Sequence, residues 1–150
     1  MLEVKNIEKS FGDKKVLDGV SLRVDQGDVV VILGPSGSGK TTFLRTLNYL
    51  EKADAGQLTL DGKNYDLAKI SRKEVLEIRH KTAFVFQNYN LFANKTAIEN
   101  ILEGLVIARK IPKAEALEIA EKALAKVGLS DKRDSYPSQL SGGQQQRIGI

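Results

Sequence analysis

One short stretch of this chain has the residue types and spacing that bind phosphate. Residues 34–42 read Gly-Pro-Ser-Gly-Ser-Gly-Lys-Thr-Thr, which fits the pattern G-x-x-x-x-G-K-[ST] of a phosphate-binding loop. Glycines allow several backbone N–H groups to turn toward one anion, and a helix that follows adds its free N–H groups and positive dipole end. The stretch therefore predicts a binding site for a nucleoside triphosphate.

The polar side chains of this loop have distinct expected roles. Lys40 supplies a point charge for the β- and γ-phosphates, and the hydroxyl of Thr41 suits a hard Mg²⁺ ion. Thr42 is a candidate hydrogen-bond donor to the α-phosphate. The other predicted nucleotide contacts in the loop are its small residues, Ser36, Gly37, Ser38 and Gly39.

A phosphate-binding loop requires a strand before it and a helix after it. Residues 28–33 are one aspartate followed by five branched apolar residues, which predicts a buried strand. Residues 82–86 form a similar run and predict a second buried strand. After the loop, apolar residues recur at helical spacing, at Phe43, Leu44, Leu47 and Leu50.

The remaining N-terminal sequence predicts a small β unit and one capped helix. Residues 2–8, 16–24 and 57–60 have strand patterns, the last running into an Asp-Gly turn. Ser71 and Glu74 match a helix capping box. His80 closes that helix, and a cation near a helix C-terminus explains it better than catalysis does.

Past residue 95 the pattern becomes helical. Residues 96–110 and 112–127 predict two helices, and the second begins on a proline at a tolerated position. Ser141 is a good N-cap, and the two glycines behind it free backbone N–H groups. This is either a second anion-binding helix start or a structural cap without a ligand.

Composition limits the classes of partner. The net charge of +4 comes from 23 basic and 19 acidic residues, and the basic residues never run longer than pairs, which favours a solvated surface over a nucleic-acid footprint. The absence of cysteine excludes disulfides and thiol chemistry. No apolar run reaches membrane-spanning length, and the N-terminus has no signal pattern. We therefore expect any membrane role to come through a partner.

Two further motifs carry a family resemblance. Residues 140–144, Leu-Ser-Gly-Gly-Gln, resemble the signature motif of the ATP-binding cassette (ABC) family, and Gln87 lies between the motifs at the position of that family's Q-loop glutamine. Residues 86–92 and 95–100 are similar to the ATPase subunits of bacterial polar amino-acid importers. The resemblance implies an α/β P-loop NTPase core with an N-terminal antiparallel β subdomain and an all-helical lobe. It divides the chain into a nucleotide-binding core, residues 1–93, and a helical subdomain, residues 94–150.

The resemblance also implies roles for individual residues. Phe11, which alone would be interpreted as a core residue, stacks on adenine, and Val16 packs against the ribose or base. Gln87 helps to hold Mg²⁺ and the attacking water, so Lys40 and Gln87 are the implied catalytic residues and Thr41 and Gln87 the implied metal contacts. The signature residues bind the γ-phosphate of the opposite subunit in a head-to-tail dimer. They are Ser141, Gly142, Gly143 and Gln144.

The implied partners follow from the same resemblance. The loop Gln87–Phe92 receives a coupling helix of a transmembrane permease subunit, which places the protein peripherally at the cytoplasmic face of the inner membrane. We expect a second ATPase subunit as a direct partner. A solute-binding protein is expected to interact only indirectly, and nucleic acid is not expected as a partner. The 52 residues at positions 88–139 leave no room for the coiled-coil insertion of cassette ATPases that act on DNA.

The family pattern continues beyond Ile150, so the chain is truncated before the Walker B strand. The family has there a strand ending in the aspartate that supports Mg²⁺, then the catalytic glutamate and a switch histidine. Two hypotheses remain: an ATPase that couples MgATP hydrolysis to import of a polar amino acid, or a module that binds ATP without turnover. A strand ending in Asp-Glu past Ile150 would favour the enzyme.

Overall fold

An antiparallel sheet of four strands forms the N-terminal part of the chain. In the computed structural model, which describes residues 1–86 and 88–150, the strand order is β2-β1-β3-β4 and every neighbouring pair is antiparallel. The strands are β1 (Leu2–Phe11), β2 (Lys14–Val24), β3 (Ala55–Leu60) and β4 (Lys63–Asp66). The predicted antiparallel β subdomain is thus confirmed.

The predicted Asp-Gly turn joins β3 to β4. Asp61 and Gly62 both have positive φ angles, +50° and +81°, which is the backbone that a two-residue hairpin turn requires. Leu60 pairs with Lys63 across the turn.

Two helices pack onto this sheet and close the first core. Helix α1 (Lys40–Leu47) buries Phe43, and helix α2 (Arg72–Lys81) buries Ile78. Both side chains join the apolar residues of the sheet in one cluster. The strand members of that cluster are Val4, Ile7, Leu17, Leu58, Leu60 and Tyr65. The sheet and these helices belong to one compact unit, residues 1–84.

Residues 85–150 form a second compact unit, which is helical. It contains α3 (Ala97–Leu102), a π-helical segment (Glu103–Ala108), α4 (Lys113–Lys126) and α5 (Gly142–Gly149). Short 3₁₀ turns cover residues 130–132 and 137–139. The predicted all-helical lobe is confirmed, whereas its functional boundary at residue 93 stays a prediction. None of the helices in the described ranges is both long enough and apolar enough to span a membrane.

Two predicted strands do not form. Residues 28–33 and 82–86 have no strand structure, and Val29, Val31 and Leu33 are 91%, 72% and 85% exposed. A strand that is buried on both faces needs hydrogen-bonding neighbours for its N–H and C=O groups. Among the described residues the sheet contains only β1–β4, and neither segment is one of its strands. The prediction of buried strands at these positions is therefore wrong.

Candidate functional site

The predicted phosphate-binding loop leads directly into helix α1. Gly39 is the N-cap residue, with φ +90° and ψ 2°, and the first helical hydrogen bond runs from Phe43 N to Gly39 O at 2.8 Å. Gly37 also has a positive φ, +79°. These left-handed conformations disfavour residues with a Cβ atom, which explains glycine at both positions.

The start of α1 differs chemically from that of three other helices. Helices α2, α3 and α5 begin with reciprocal capping boxes, whereas α1 has neither a capping side chain nor an acidic residue in its first turn. Its first N–H groups have no partner within the helix, and its positive dipole end is not balanced by a carboxylate. This combination favours an anion at the loop.

Lys40 places a positive charge inside the same loop. Its ammonium group donates to the carbonyl oxygens of Gly34 at 2.8 Å and Pro35 at 2.7 Å, with the Ser38 hydroxyl at 3.5 Å. An ammonium has three donors and forms stronger hydrogen bonds to ionised oxygens than to neutral carbonyls. A phosphate in the loop would therefore compete well for this group.

Strand β2 approaches the loop from one side. A Cβ atom on Gly39 would lie 3.0 Å from Val16 Cγ1, 3.1 Å from Val16 O and 3.2 Å from Leu17 Cδ2. The structure thus brings Val16 beside the loop, a contact that the sequence pattern did not show. The loop's hydroxyl residues Ser36, Ser38 and Thr41 are exposed, and Thr42 is half-buried.

Phe11 ends strand β1 and is half-exposed. The ammonium of Lys9 lies 4.9 Å from the centre of its ring. Phe11 pairs with Lys14, two residues before Val16 on the next strand. Phe11 and Val16 therefore share the hairpin formed by β1 and β2.

The signature stretch begins helix α5, as predicted. Ser141 Oγ accepts from Gln144 N at 3.3 Å, and Gln144 Oε1 accepts from Ser141 N at 2.8 Å. Gly142 and Gly143 are exposed. The sequence did not reveal the role of Gln145, whose amide donates to the carbonyls of Pro137 and Leu140 at 2.9 and 3.0 Å. That amide fixes the turn before α5.

The predicted permease loop is described except for Gln87, which lies outside the described residues. Tyr89 and Asn90 have positive φ angles, +52° and +49°. Asn100, which sequence reasoning missed, ties the loop to α3. Its side-chain oxygen accepts from Phe92 N at 2.7 Å, and its amide donates to three backbone carbonyls, those of Phe92, Lys95 and Thr96.

His80 and the carboxylates of the chain are potential metal ligands. His80 lies in the last turn of α2, at the helix end where the sequence placed it. Within residues 1–86 and 88–150, no group of three His, Cys, Asp or Glu side chains could hold a metal ion.

Known proteins with similar sequences were found for the whole chain. The family model described as "ABC transporter" matches residues 17–150. The L-cystine import ATP-binding protein TcyN of Bacillus subtilis is 57% identical over 150 residues, which are all of this chain and 58% of that protein. The glutamine transport ATP-binding protein GlnQ of Escherichia coli is 46% identical over 150 residues, all of this chain and 61% of that protein. The chain thus spans about three fifths of these relatives.

Solved structures with a similar fold were also found. The dimeric structure of MJ0796, a bacterial ABC transporter cassette, matches with a TM-score of 0.85 and 35% sequence identity. The match covers 100% of this chain and 67% of the MJ0796 chain. A post-hydrolysis dimer of the same cassette, bound to ADP and Pi, has a TM-score of 0.83 and 33% identity, with coverage of 99% and 67%.

Proposed function

Because this chain belongs to the ABC transporter family, we propose that it forms the nucleotide-binding part of an ATPase subunit that drives import of an amino acid. The observation that carries the proposal is the loop at residues 34–42. It opens α1 without a side-chain cap and holds the Lys40 ammonium on two carbonyls. Two relatives are named as ATP-binding proteins for L-cystine import and for glutamine transport. Their names support an amino acid as the imported solute.

In this proposal each part of the loop binds one part of MgATP. Backbone N–H groups of the loop and of α1 receive the phosphates, with contacts from residues 36–39 and from Thr42. Lys40 binds the β- and γ-phosphates, and the Thr41 hydroxyl together with Gln87 holds Mg²⁺. Phe11 stacks on adenine and Val16 packs beside the ribose. Bound MgATP supplies the phosphoanhydride whose cleavage drives the cycle, and the protein contributes positioning and charge.

The signature residues complete the site of a second subunit. Ser141, Gly142, Gly143 and Gln144 start α5, and the exposed Gly142 and Gly143 leave room for the γ-phosphate of an ATP held by a partner. The dimeric assembly of MJ0796 supports a homodimer or a pair of ATPase subunits.

The same proposal assigns the remaining partners. The loop Gln87–Phe92 binds a permease subunit, so the protein lies at the cytoplasmic face of the membrane and meets a solute-binding protein only indirectly. Nucleic acid is not a partner. Asn100 holds Phe92, the last residue of this loop, to α3 with two hydrogen bonds, which anchors one end of the proposed permease surface.

Lys40→Ala tests the proposal in the complete gene product. Loss of a charge-assisted hydrogen bond costs about 1.5–3 kcal/mol, which corresponds to roughly 10- to 150-fold weaker ATP binding. We expect that loss by calorimetric titration, and we expect ATP hydrolysis to disappear with it. Lys126→Ala, at the exposed end of α4, is the control and should bind as the wild type does. Equal ATP affinity in the Lys40→Ala and wild-type proteins would refute the proposed role of the loop.

A further inference from the structure

Strand β1 brings a lysine under the aromatic ring that the proposed function assigns to adenine. Alternate residues of a strand share one face, so Ile7, Lys9 and Phe11 point to the same side. Their exposed fractions rise from 0% to 9% to 49% as the strand leaves the core. Lys9 is therefore almost fully buried, beside a ring that is half open to solvent.

The side chain of Lys9 is held from two directions. Its ammonium lies 3.0 Å from Glu51 Oε1 and 3.6 Å from Asp54 Oδ1, and 4.9 Å from the centre of the Phe11 ring. The hydrogen bond with Glu51 raises the pKa of Lys9, and the charges of Glu51 and Asp54 act in the same direction against desolvation. The group thus stays a cation at neutral pH.

The two carboxylates belong to the segment that follows the phosphate-loop helix. Asp54 also fixes the backbone of β1, because its Oδ2 accepts from Ser10 N at 2.6 Å and its own N–H donates to Glu8 O at 2.9 Å. Lys9 consequently links the ring at the end of β1 to the chain that leaves α1.

We propose that Lys9 is a positioning residue for base recognition, which holds one face of Phe11 so that the opposite face is presented to a purine. The inference rests on the proposed function, in which Phe11 stacks on adenine. Lys9 itself contacts no part of the nucleotide. A ring that is already ordered loses less conformational entropy when the base binds, so removing the cation should weaken binding of the base and leave binding of the phosphates unchanged.

Two ligands distinguish binding of the base from binding of the phosphates. The complete gene product is titrated with ATP and with inorganic tripolyphosphate, which has no base. We expect Lys9→Met, which keeps the aliphatic stem, to weaken ATP binding about two- to fivefold, the size of one exposed cation–π contact. Tripolyphosphate affinity should not change. Lys9→Arg retains a cation over the ring and should restore ATP binding.

The chain contains a matched control for the substitution. Lys63, on strand β4, lies 5.1 Å from the centre of the Tyr65 ring and is paired with Glu77 of helix α2. Lys63→Met removes the same kind of contact and should leave the affinity for ATP unchanged. Glu51→Gln, which weakens the hold on Lys9, is a second variant and should change ATP affinity in the same direction as Lys9→Met but less.

A double-mutant cycle with Phe11→Ala tests whether Lys9 acts through the ring. Phe11→Ala alone should weaken ATP binding about five- to 150-fold, the range for one stacked base, and Lys9→Met should then add nothing. If Lys9→Met weakens ATP binding equally with and without Phe11, or weakens tripolyphosphate binding too, the positioning role is wrong and the proposed function stands. If neither Phe11→Ala nor Lys40→Ala changes ATP binding, both the positioning role and the proposed function are wrong.

Discussion

Gly39→Ala should damage both the stability of the protein and its nucleotide site, because two separate costs fall on one added methyl group. The first is conformational. Gly39 has φ +90°, and a left-handed backbone costs an L-residue about 1–2 kcal/mol. The second is steric. The new Cβ would lie 3.0 Å from Val16 Cγ1 and 3.1 Å from the Val16 carbonyl oxygen.

The steric cost is not avoided by rotating a side chain. The carbonyl of Val16 is part of strand β2, so either the strand or the loop must move by a few tenths of an ångström. Overpacking of this kind costs about 1–3 kcal/mol. The total expected loss in the free energy of unfolding is therefore about 2–5 kcal/mol. ATP affinity should fall as well, since the loop that moves is the one that we propose binds phosphate.

Gly27→Ala provides the matched control. Gly27 has φ +91°, almost the same as Gly39, and a Cβ atom there would meet nothing within 4 Å. It should lose only the conformational term, about 1–2 kcal/mol, and bind ATP normally. Urea unfolding and ATP titration of the complete gene product measure both quantities. Equal losses of unfolding free energy in the two variants would refute the argument that β2 closes against the loop.

Two further predictions concern the first compact unit. Gly56→Ala would place a Cβ 2.7 Å from Ile7 Cδ1 and 2.9 Å from Asn6 O, at φ +121°, so strands β1 and β3 must separate. Thermal unfolding should show that the free energy of unfolding falls by more than about 3 kcal/mol. An unchanged melting temperature would contradict this packing. The hydrogen bonds from the hydroxyl and backbone N–H of Ser71 hold the pKa of Glu74 below its ordinary value. A carboxyl group whose pKa is lowered by folding stabilises the fold at any pH above its unfolded-state pKa. That stabilisation is lost as the pH falls through the folded-state pKa. The stability difference between wild type and Glu74→Gln should therefore be constant near neutral pH and shrink below about pH 4. Urea unfolding at pH 7 and pH 3 measures it, and a difference of the same size at pH 3 would exclude the ionised carboxylate as the cause.

Local patterns predicted the local structure correctly. The capping box at Ser71, the N-cap at Ser141 and the turn at Asp61 depend on residues within a few positions of one another, and all three are present. The helix after the phosphate loop begins at Lys40 itself. The predicted class, a cassette with an antiparallel β subdomain and a helical lobe, is confirmed by the similarity to the MJ0796 structures.

The two wrong predictions share one physical cause. An apolar run such as residues 28–33 or 82–86 has the composition of a buried strand, but a strand also needs partners along both of its edges. Composition is a property of the segment, whereas pairing is a property of the whole sheet. In the part of the chain that the structure describes, the sheet includes neither run. An apolar run alone therefore predicts that a segment favours burial. It does not predict whether the segment joins a sheet as a strand.

The contacts that organise the candidate site were equally hidden from the sequence. Val16 meets Gly39 across 23 positions of chain, and Lys9 meets Glu51 across 42. Nothing in the local pattern around Lys9 distinguishes this buried lysine from the exposed lysines of the β unit. Only the fold, which brings the segment after α1 beside β1, makes that lysine a partner of Glu51 and Asp54.

These two long-range contacts give the first compact unit a site that is largely built before a ligand arrives. Contact between Val16 and Gly39 shapes the phosphate end that we propose, and Lys9 contacts the ring at the proposed base end. Such preorganisation lowers the entropic cost of binding. In the proposed function the part that must change is the Lys40 ammonium, whose bonds to the carbonyls of Gly34 and Pro35 would be exchanged for bonds to phosphate oxygens. Because the new acceptors would be charged and the old ones are neutral, that exchange would favour the bound state. Under this proposal Lys40 adds its charge to the backbone N–H groups that bind the triphosphate, while the ring beside Lys9 selects the base.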